Sequence, residues 1–354
     1  MRQSRKLDHL KYSLSLADGP GVNGFTDITL VHNCLPDLKW DDIDISSSIA
    51  GISLHNPLVI NAITGGAKDV AKVNGQIAEF ACLTKMAMAV GSQYAALEDP
   101  EVKQSYQIVR EKNPDGVIFA NLGAYATPSQ AQLAVDMIDA QAIQIHLNVA
   151  QELIMAEGDR DFSSYLANIS RIAEHVSVPV IVKEVGCGIG KEQATLLAKS
   201  GIKAIDVGGM GGTNFLAIEG ARSQLSLSEE LLSWGIPTAI SAIETMSVLP
   251  KELDMMVSGG IRTPLDVVKS LALGGNAIGM ATPIIKILYE KEIDDAVSWF
   301  DRFIHEMKCY MLLLGANNVK NIGKVPVVIT GYSREWLIGR GFNIPKYGIG
   351  EKHD

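Results

Sequence analysis

The stretch Gln-Ile-His-Leu-Asn-Val-Ala-Gln-Glu, at residues 144–152, joins the end of an apolar run to a cluster of polar side chains. The run itself, residues 142–147, is typical of a buried strand. In a barrel of parallel strands, the active site is built at the carboxyl ends of the strands and from the loops that follow them. We therefore expect four polar residues of this stretch to face a ligand from one wall: His146, Asn148, Gln151 and Glu152.

From residue 56 onward, apolar runs alternate with amphipathic segments, a pattern that indicates parallel βαβ units. The predicted strands are 57–63, 86–91, 117–122, 142–147, 179–184, 204–208, 255–258 and 277–280. The predicted helices include 102–112, 129–139, 165–175, 192–199, 240–249, 264–273 and 294–314. Eight regular units favour an α/β fold of the (β/α)8 TIM-barrel type over a doubly wound open sheet.

Composition limits the class of protein. With 47% hydrophobic and 20% charged residues among 354, the chain can bury a large core. We expect one domain over 1–354, with an N-terminal extension carrying a basic arm at 1–50, the barrel at 56–316 and a C-terminal tail at 317–354. The net charge of -9 argues against a nucleic-acid surface. The lack of a long apolar run or a signal-type start predicts no membrane insertion and a cytoplasmic location.

Four cysteines are spread along the chain without a Cys-x-x-Cys pair, which predicts reduced thiols rather than a disulfide framework. None has an evident activating histidine or helix start near it in sequence, so we expect no catalytic thiol among them. They are Cys34, Cys82, Cys187 and Cys309.

Glycine-rich loops follow the last three predicted strands, at 208–214, 258–262 and 279–283. Without a Cβ, backbone N–H groups can approach and hold a phosphate. The loops after strands seven and eight are the usual phosphate site of this fold. Tight strand-to-helix turns also require glycine, but two such loops in these places favour phosphate binding.

Short polar side chains end the first three strands, at Thr64, Ser92 and Asn121. Each one alone is readily explained by capping or turn hydrogen bonds. Together with Lys183 after strand five, they predict a polar rim for a flat heteroaromatic ring. A lysine at that position needs a partner, and Schiff-base formation, phosphate binding or a charge beside a reduced flavin are all open.

Two residues of the stretch 144–152 have more than one interpretation. Glu152 is either a salt-bridged side chain or a Mg²⁺ ligand, because Mg²⁺ is often held by one or two carboxylates together with substrate phosphates. His146 is either a satisfied core histidine or a hydrogen-bond donor to an anion.

With these motifs in view, the chain resembles the type 2 isopentenyl-diphosphate isomerases, flavoenzymes of the FMN-dependent barrel group. The resemblance covers nearly the whole chain and is carried by motifs beginning at Arg5-Lys6, Leu30-Val31-His32-Asn33, Asn61-Ala62-Ile63-Thr64, Ala89-Val90-Gly91-Ser92-Gln93, Gln144, Val182-Lys183-Glu184, Gly211-Gly212-Thr213 and Ser258-Gly259-Gly260. It implies interconversion of isopentenyl and dimethylallyl diphosphate, with reduced FMN, NADPH as the external reductant, and Mg²⁺. It also implies a homo-oligomer, a tetramer or an octamer.

The resemblance assigns roles to residues of this chain. FMN would contact Ala62, Ile63, Thr64, Ser92, Asn121, Lys183 and Thr213, and its phosphate would meet Gly259, Gly260, Ile261, Met280 and Ala281. The substrate would meet Arg5, Lys6, His9, Ser92, Gln93, His146, Asn148 and Gln151. Glu152 would hold the metal, and the catalytic residues would be Gln151, Lys183 and His146.

Two positions depart from the family pattern. Tyr94 stands where many relatives have a basic residue, and Gly208 stands where many have serine. Three rival functions share the predicted fold. A 2-hydroxy-acid oxidase needs a histidine base near Arg262, a nucleotide dehydrogenase needs a cysteine within 208–215, and neither is present. A non-enzymatic flavin-binding protein would not need Gln151 and Glu152.

Overall fold

We describe a computed structural model of the chain over residues 12, 14, 16, 19–62, 64–67 and 70–350. Twelve strands lie within these ranges. They are β1 (Ile28–Leu30), β2 (Ser47–Ile49), β3 (Ile52–Leu54), β4 (Leu58–Ile60), β5 (Ala87–Ala89), β6 (Ile118–Gly123), β7 (Ala142–Leu147), β8 (Val180–Glu184), β9 (Ala204–Asp206), β10 (Asp254–Ser258), β11 (Ala277–Met280) and β12 (Val327–Ile329).

Strands β4 to β11 form a closed barrel in sequential order, with every neighbouring pair parallel. β11 closes the barrel by pairing with β4, where Ile278 lies opposite Leu58. The predicted (β/α)8 barrel is therefore confirmed, and the open doubly wound sheet is excluded. Strands β4, β5, β8 and β9 are shorter than predicted, and β4, β5 and β9 end early because the residues after them turn away to form the loops at the barrel mouth.

Helices separate the strands and continue beyond them. Those in the described part of the chain are α1 (Ala71–Thr84), α2 (Tyr94–Glu98), α3 (Gln104–Lys112), α4 (Pro128–Ile138), α5 (Val149–Ile154), α6 (Tyr165–His175), α7 (Lys191–Leu197), α8 (Phe215–Arg222), α9 (Glu229–Leu232), α10 (Thr238–Met246), α11 (Pro264–Ala272), α12 (Thr282–Glu290), α13 (Ile293–Leu313), α14 (Val319–Ile322), α15 (Gly331–Gly339) and α16 (Pro345–Gly348). The seven predicted helices are all present, within about two residues at each end in most cases. The short helices at the barrel mouth were not predicted.

Two of the predicted helix starts are capping boxes. The Thr127 side chain accepts from the backbone N–H of Gln130, whose side chain accepts in return from the N–H of Thr127. Thr263 and Asp266 do the same at the start of α11. Each box satisfies two of the N–H groups that a helix leaves without internal partners.

The barrel interior is layered because every second residue of a strand points inward. The lower layers are apolar and belong to one buried cluster, which includes Val59, Phe119, Ile181 and Met256. Two residues further along the same strands the inward side chains become polar. These are Asn61, Asn121, Gln144, Lys183, Asp206 and Ser258, each no more than 6% exposed. The change from apolar to polar places a reactive floor just beneath the barrel mouth.

Elements outside the βα repeat close the other faces. The β2–β3 hairpin is antiparallel, and its Ile49 and Leu54 join the apolar cluster inside the barrel. The N–H of Ala50 in its turn donates to Asp254 at 2.6 Å. Near the chain ends, β1 pairs antiparallel with β12. Neither pair was predicted, because each strand has only three residues.

Candidate active site

Two cavities open at the carboxyl end of the barrel and meet over its polar floor. The larger, of about 280 Å³, is lined by the loops after β9, β10 and β11. The smaller, of about 90 Å³, is lined by residues that follow β5 to β8. Four residues line both cavities: Ala62, Lys183, Val185 and Phe215. A ligand in one cavity can therefore contact a ligand in the other beside Lys183.

The polar floor is a continuous chain of hydrogen bonds. Asn61 Nδ2 donates to Asp206 Oδ2 at 2.8 Å, and Gln144 Nε2 donates to Asn61 Oδ1 at 3.0 Å. Asn121 Nδ2 donates to Gln144 Oε1 at 3.1 Å, and Asn121 Oδ1 lies 3.0 Å from His146 Nδ1. These hydrogen bonds link four strands, β4, β6, β7 and β9, and orient side chains that strand geometry alone would leave free to rotate.

Lys183 and Asp206 form a buried ion pair in this floor, with Nζ 3.4 Å from Oδ2. Lys183 Nζ also donates to the carbonyl of Glu184 at 2.9 Å. Asp206 Oδ1 accepts from Ser258 Oγ at 2.6 Å and from the N–H of Gly208 at 3.3 Å. The lysine thus keeps a partner for its charge while it lines both cavities.

The loops of the larger cavity turn their carbonyl groups outward. The carbonyl of Gly259 accepts from Thr238 Oγ1 at 2.7 Å, and that of Gly260 accepts from Asn23 and Arg262 at 2.7 and 2.8 Å. Since a trans peptide holds its N–H opposite to its C=O, the N–H groups of Gly260 and Ile261 point away from these partners. Both residues line the cavity.

Two further features suit this cavity to a phosphate. A Cβ at Gly212 would collide with the backbone nitrogen of Gly260, so the loops after β9 and β10 approach as closely as they do only because a glycine is there. Helix α12 begins at the cavity wall and its start has no side-chain cap. An uncapped helix start attracts an anion through its N–H groups and its dipole.

The smaller cavity contains a carboxylate with polar neighbours. Glu152 is 8% exposed and accepts from Asn148 Nδ2 at 2.7 Å and from the N–H of Asp159 at 2.9 Å. Among the described residues, Asn148 Oδ1 and Tyr165 Oη are buried without a hydrogen-bond partner. Burial, followed by the negative charge of Glu152, raises the pKa of the Tyr165 hydroxyl. Buried oxygen atoms without partners beside a carboxylate suit a cation or its bound water.

Arg160 fixes the loop that carries this carboxylate. Its guanidinium donates to the carbonyl groups of Glu152, Met155, Gly158 and Asp159 at 2.7–2.9 Å. This arrangement holds the backbone of residues 152–159 in a tight turn and keeps the Asp159 N–H against Glu152.

Gln151 is oriented from the neighbouring helix α8. Its Nε2 donates to Glu219 Oε1 at 2.8 Å, and Glu219 Oε2 accepts from Arg222 Nε at 2.7 Å. Glu219 is fully buried, so Arg222 supplies the charge that its carboxylate needs. The carboxylate only accepts hydrogen bonds, which turns the NH₂ group of Gln151 toward it and leaves the amide oxygen as the end that can face the cavity.

Glu184 organises the loop after β8. One carboxylate oxygen accepts from four successive backbone N–H groups, those of residues 185–188. Burial raises the pKa of Glu184 to about 7, while the N–H groups of Cys187, Gly186 and Gly188 and the Lys183 charge act in the opposite direction. Because Val185 and Gly186 line the cavities, this carboxylate shapes their wall.

Comparison with known proteins identifies the family. Residues 119–328 match the family model described as FMN-dependent dehydrogenase. An isopentenyl-diphosphate delta-isomerase of Geobacillus sp. (strain WCH70) is 46% identical over 98% of this chain and 99% of its own length. The chain belongs to the isopentenyl-diphosphate delta-isomerase family. A second member, from Symbiobacterium thermophilum, is 44% identical over 97% of each chain.

Solved structures add the fold alone. A lactate oxidase of Pediococcus acidilactici superposes with a TM-score of 0.67 at 18% identity, covering 92% of this chain and 87% of its own. This chain therefore shares its barrel fold with that oxidase. The family-model match supports FMN as a cofactor of this chain. Of the helices that are described, none is long and apolar enough to cross a membrane.

The structure gathers most of the residues that the family resemblance selected. The larger cavity is lined by Ala62, Lys183, Thr213, Gly259, Gly260, Ile261, Met280 and Ala281. The smaller cavity is lined by Ser92, Asn121, His146, Asn148, Gln151 and Glu152. Thr64 is buried with its hydroxyl unpartnered within the described ranges. Four predicted residues lie outside the described residues: Arg5, Lys6, His9 and Ile63.

Gln93 is placed differently from the prediction. It is fully buried, its Nε2 donates to the carbonyl of Ala134 at 2.8 Å, and its Oε1 accepts from the N–H of Asn121 at 3.0 Å. Its amide therefore ties β6 to α4 behind the barrel wall and is not among the residues that line either cavity. The sequence alone does not show that the side chain of Gln93 turns into the barrel wall.

The two departures from the family pattern have structural counterparts. Gly208 has a φ of +46°, and a Cβ there would collide with the carbonyl of Glu184, so this backbone does not admit serine. The Tyr94 ring meets that of Tyr125 edge-on, with centroids 5.2 Å apart, and Tyr125 lines the smaller cavity. An aromatic pair therefore stands where the family resemblance implies a basic residue.

Sequence reasoning missed several residues of the site. Gln144 and Asp206 lie within β7 and β9, Asn61 directly follows β4, and Glu219 and Arg160 lie outside the motifs quoted above. The signal that could have found the first three is the two-residue period of a strand. Asn61, Gln144 and Asp206 each stand two positions after an inward apolar residue, which is Val59, Ala142 and Ala204 respectively.

Proposed function

We propose that this protein catalyses the reversible 1,3-allylic isomerisation of isopentenyl diphosphate to dimethylallyl diphosphate, with reduced FMN and Mg²⁺, in isoprenoid biosynthesis. The observation that carries the proposal is the pair of cavities that meet at Lys183, one with a phosphate cradle and one with Glu152 and His146. A flavin and a diphosphate can thereby lie against each other over one polar floor.

The residues of the larger cavity fit FMN. Outward carbonyls at Gly259 and Gly260, and the uncapped start of α12, suit the phosphate. Lys183 at the junction of the cavities suits the ring, because a positive charge there favours an electron-rich flavin. Asn121, Ser92 and Thr64 complete the proposed ring contacts, together with Ile63, which lies outside the described residues.

The residues of the smaller cavity fit Mg²⁺ bound with a diphosphate. The described residues contain no cluster of three His, Cys, Asp or Glu side chains, so a fully protein-bound metal is not offered there. One carboxylate with substrate phosphates is a common arrangement for Mg²⁺. Glu152 would hold the metal, and the buried Asn148 Oδ1 lies on a residue already bonded to that carboxylate.

In the proposed reaction a proton is added to one carbon of the substrate and another is removed elsewhere. FMN, when bound and reduced, supplies an electron-rich ring that can exchange a proton with the substrate. Lys183 stabilises negative charge on the ring, and His146 hydrogen-bonds the diphosphate. Gln151, fixed by Glu219, presents its amide oxygen near the allylic carbons and can stabilise the positive charge that develops there.

Further parts of the proposal concern residues and partners beyond the two cavities. The basic arm, with Arg5, Lys6 and His9, would cover the diphosphate as a lid and exclude water. NADPH would reduce the flavin, and the protein would act as a cytoplasmic homo-oligomer, a tetramer or an octamer. The whole chain, 1–354, would form a single FMN-binding domain. The related isomerases at 44–46% identity support the proposed reaction itself.

The test is turnover of isopentenyl diphosphate by the reduced protein during a Mg²⁺ titration, for wild type, Glu152→Gln and the exposed control Glu174→Gln. We expect Glu152→Gln to bind FMN normally and to need at least about tenfold more Mg²⁺ for half-maximal rate, equivalent to about 1.4 kcal/mol. Glu174→Gln should match wild type. A wild-type turnover rate that stays unchanged when a metal chelator is added would contradict the metal assignment. Reduction of the flavin by a 2-hydroxy acid would favour an oxidase.

A further inference from the structure

The amide chain in the barrel floor has a direction that its ends determine. Each Asn or Gln side chain offers an NH₂ donor on one side and an oxygen acceptor on the other. The Asp206 carboxylate only accepts, so Asn61 must turn its NH₂ group toward it. At its other end, Asn61 Oδ1 accepts from the N–H of Ala62 at 2.9 Å. A backbone N–H cannot reverse its role, so the orientation of Asn61 is set at both ends.

The orientation of each amide then fixes the orientation of the next amide along the hydrogen-bond chain. Because Asn61 presents its oxygen, Gln144 must present NH₂ to it and its own oxygen to Asn121. Asn121 must then donate its NH₂ to Gln144 and present Oδ1 to His146. A ring nitrogen 3.0 Å from that oxygen must carry a proton, since two acceptors would otherwise face each other.

We propose that Asp206 is a positioning residue that holds His146 in the tautomer with its proton on Nδ1, acting through Asn61, Gln144 and Asn121. The neutral ring then carries its lone pair on Nε2, and the protonated ring donates from Nε2. The other tautomer would require all three amides to flip, which would set oxygen of Asn61 against Asp206 and its NH₂ against the N–H of Ala62. The use of His146 toward a diphosphate rests on the proposed function, but the tautomer does not.

The geometry also explains why three amide side chains separate Asp206 from His146. Asp206 lies on β9 and His146 on β7, and direct contact would place a carboxylate against the imidazole. A carboxylate in contact favours imidazolium, whereas a neutral amide oxygen fixes the tautomer and adds no charge of its own. The same carboxylate pairs with Lys183, so one acid positions two of the residues that the proposed mechanism uses.

The experiment is ¹⁵N NMR of the full-length holoprotein labelled at histidine, with FMN oxidised and no substrate, at a pH where the ring is neutral. The His146 signals are assigned by their loss in His146→Gln. We expect a protonated Nδ1 and an unprotonated Nε2 in wild type. In Asp206→Asn the hydrogen-bond chain loses its accept-only end, and only the Ala62 N–H still orients Asn61, so we expect the other tautomer to appear as a minor species. The control is Asp254→Asn, a carboxylate at the opposite end of the barrel, which should keep the wild-type spectrum.

Gln144→Leu cuts the hydrogen-bond chain in its middle and separates Asn121 from both contacts that orient Asn61, so it should produce a mixture of both tautomers even if Asp206→Asn does not fold. A wild-type ring protonated on Nε2 would overturn the proposal. So would a folded Asp206→Asn, or a folded Gln144→Leu, that keeps only the wild-type tautomer. Because no substrate is present, these results are independent of whether the protein turns over isopentenyl diphosphate.

Discussion

At the scale of single residues, the site depends on charges that are buried together with their partners. Lys183 and Asp206 are 6% and 0% exposed, and Glu219 is paired with Arg222 in the same way. A buried pair adds little net stability, because desolvation opposes the attraction, but removing one partner leaves a charge that water cannot reach. Such pairs hold functional groups in position, but substitution of either partner alone destabilises the fold.

Lys183→Met tests this sensitivity. The substitution keeps the length of the side chain but leaves the Asp206 carboxylate without its ammonium partner. We expect the free energy of unfolding to fall by about 3–5 kcal/mol, measured by urea denaturation at neutral pH.

The matched control for that measurement is the double variant Lys183→Met with Asp206→Asn, which removes both charges. We expect it to recover a substantial part of the lost stability, because no uncompensated charge is left buried. Equal destabilisation of the single and double variants would show that the lysine stabilises the barrel through packing alone.

At the scale of elements, the loops after β9, β10 and β11 approach closely and form the proposed phosphate site. Arg262 donates to the carbonyls of Gly211 and Gly260 at 2.8 Å and thereby joins two of these loops. Thr213 Oγ1 lies 2.6 Å from Thr282 Oγ1 and joins the first loop to the start of α12. Three βα units therefore build the proposed phosphate site together.

Gly212→Ala tests the cradle. Its Cβ would collide with the Gly260 nitrogen and push the two loops apart. We expect the dissociation constant for FMN, measured by fluorescence quenching, to rise at least about tenfold, or about 1.4 kcal/mol. Gly339→Ala is the control, because nothing lies within 4 Å of a Cβ at that position. Unchanged FMN affinity in Gly212→Ala would contradict the phosphate assignment.

A second element, helix α15, is attached through one buried carboxylate. Glu244 accepts from Trp336 Nε1 at 2.8 Å and from Arg340 at 2.9–3.0 Å. Burial raises the pKa of Glu244, but the hydrogen bonds from Arg340, from Trp336 and from the N–H of Lys191 outweigh it, so the pKa lies below 4.5. This carboxylate therefore adds stability above the ordinary glutamate pKa, and the contribution is lost as the pH falls through the lowered value.

Arg340→Met should remove much of that contribution. At neutral pH we expect a loss of about 1–3 kcal/mol in the free energy of unfolding, because Glu244 keeps its burial and loses its charged partner. The difference from wild type should shrink as Glu244 becomes protonated in acid. The control is Arg334→Met on the same helix, whose ion pair with Glu335 is exposed and should matter little. A difference that is constant from pH 7 to pH 4 would contradict the assignment to Glu244.

At the scale of the whole molecule, the repeat of apolar runs was enough to predict the barrel, since parallel strands buried on both faces are apolar throughout. The polar residues just after the strands were also predictable, because the carboxyl ends of all eight strands meet at one mouth. Patterns of three residues, such as β1 and β12, carry too little periodicity to be read. Their pairing depends on contacts between distant parts of the chain.

The polar floor marks the limit of what the sequence revealed about the site. Asp206 stands in an apolar run, and only its inward direction, set by strand register, reveals its role. The family resemblance assigns Gln93 to the substrate, but its amide donates to the carbonyl of Ala134 inside the barrel wall. Side-chain direction after a strand depends on the loop conformation, which local pattern does not determine.

The central claim is that strand ends from the whole barrel form one site where a reduced flavin acts on a metal-bound diphosphate. The most direct measurement is ¹H NMR of isopentenyl diphosphate in D₂O with Mg²⁺ and the protein, anaerobically, before and after chemical reduction of its flavin. We expect dimethylallyl diphosphate with incorporated deuterium only after reduction. An unchanged diphosphate in the presence of fully reduced, FMN-loaded protein would contradict the claim.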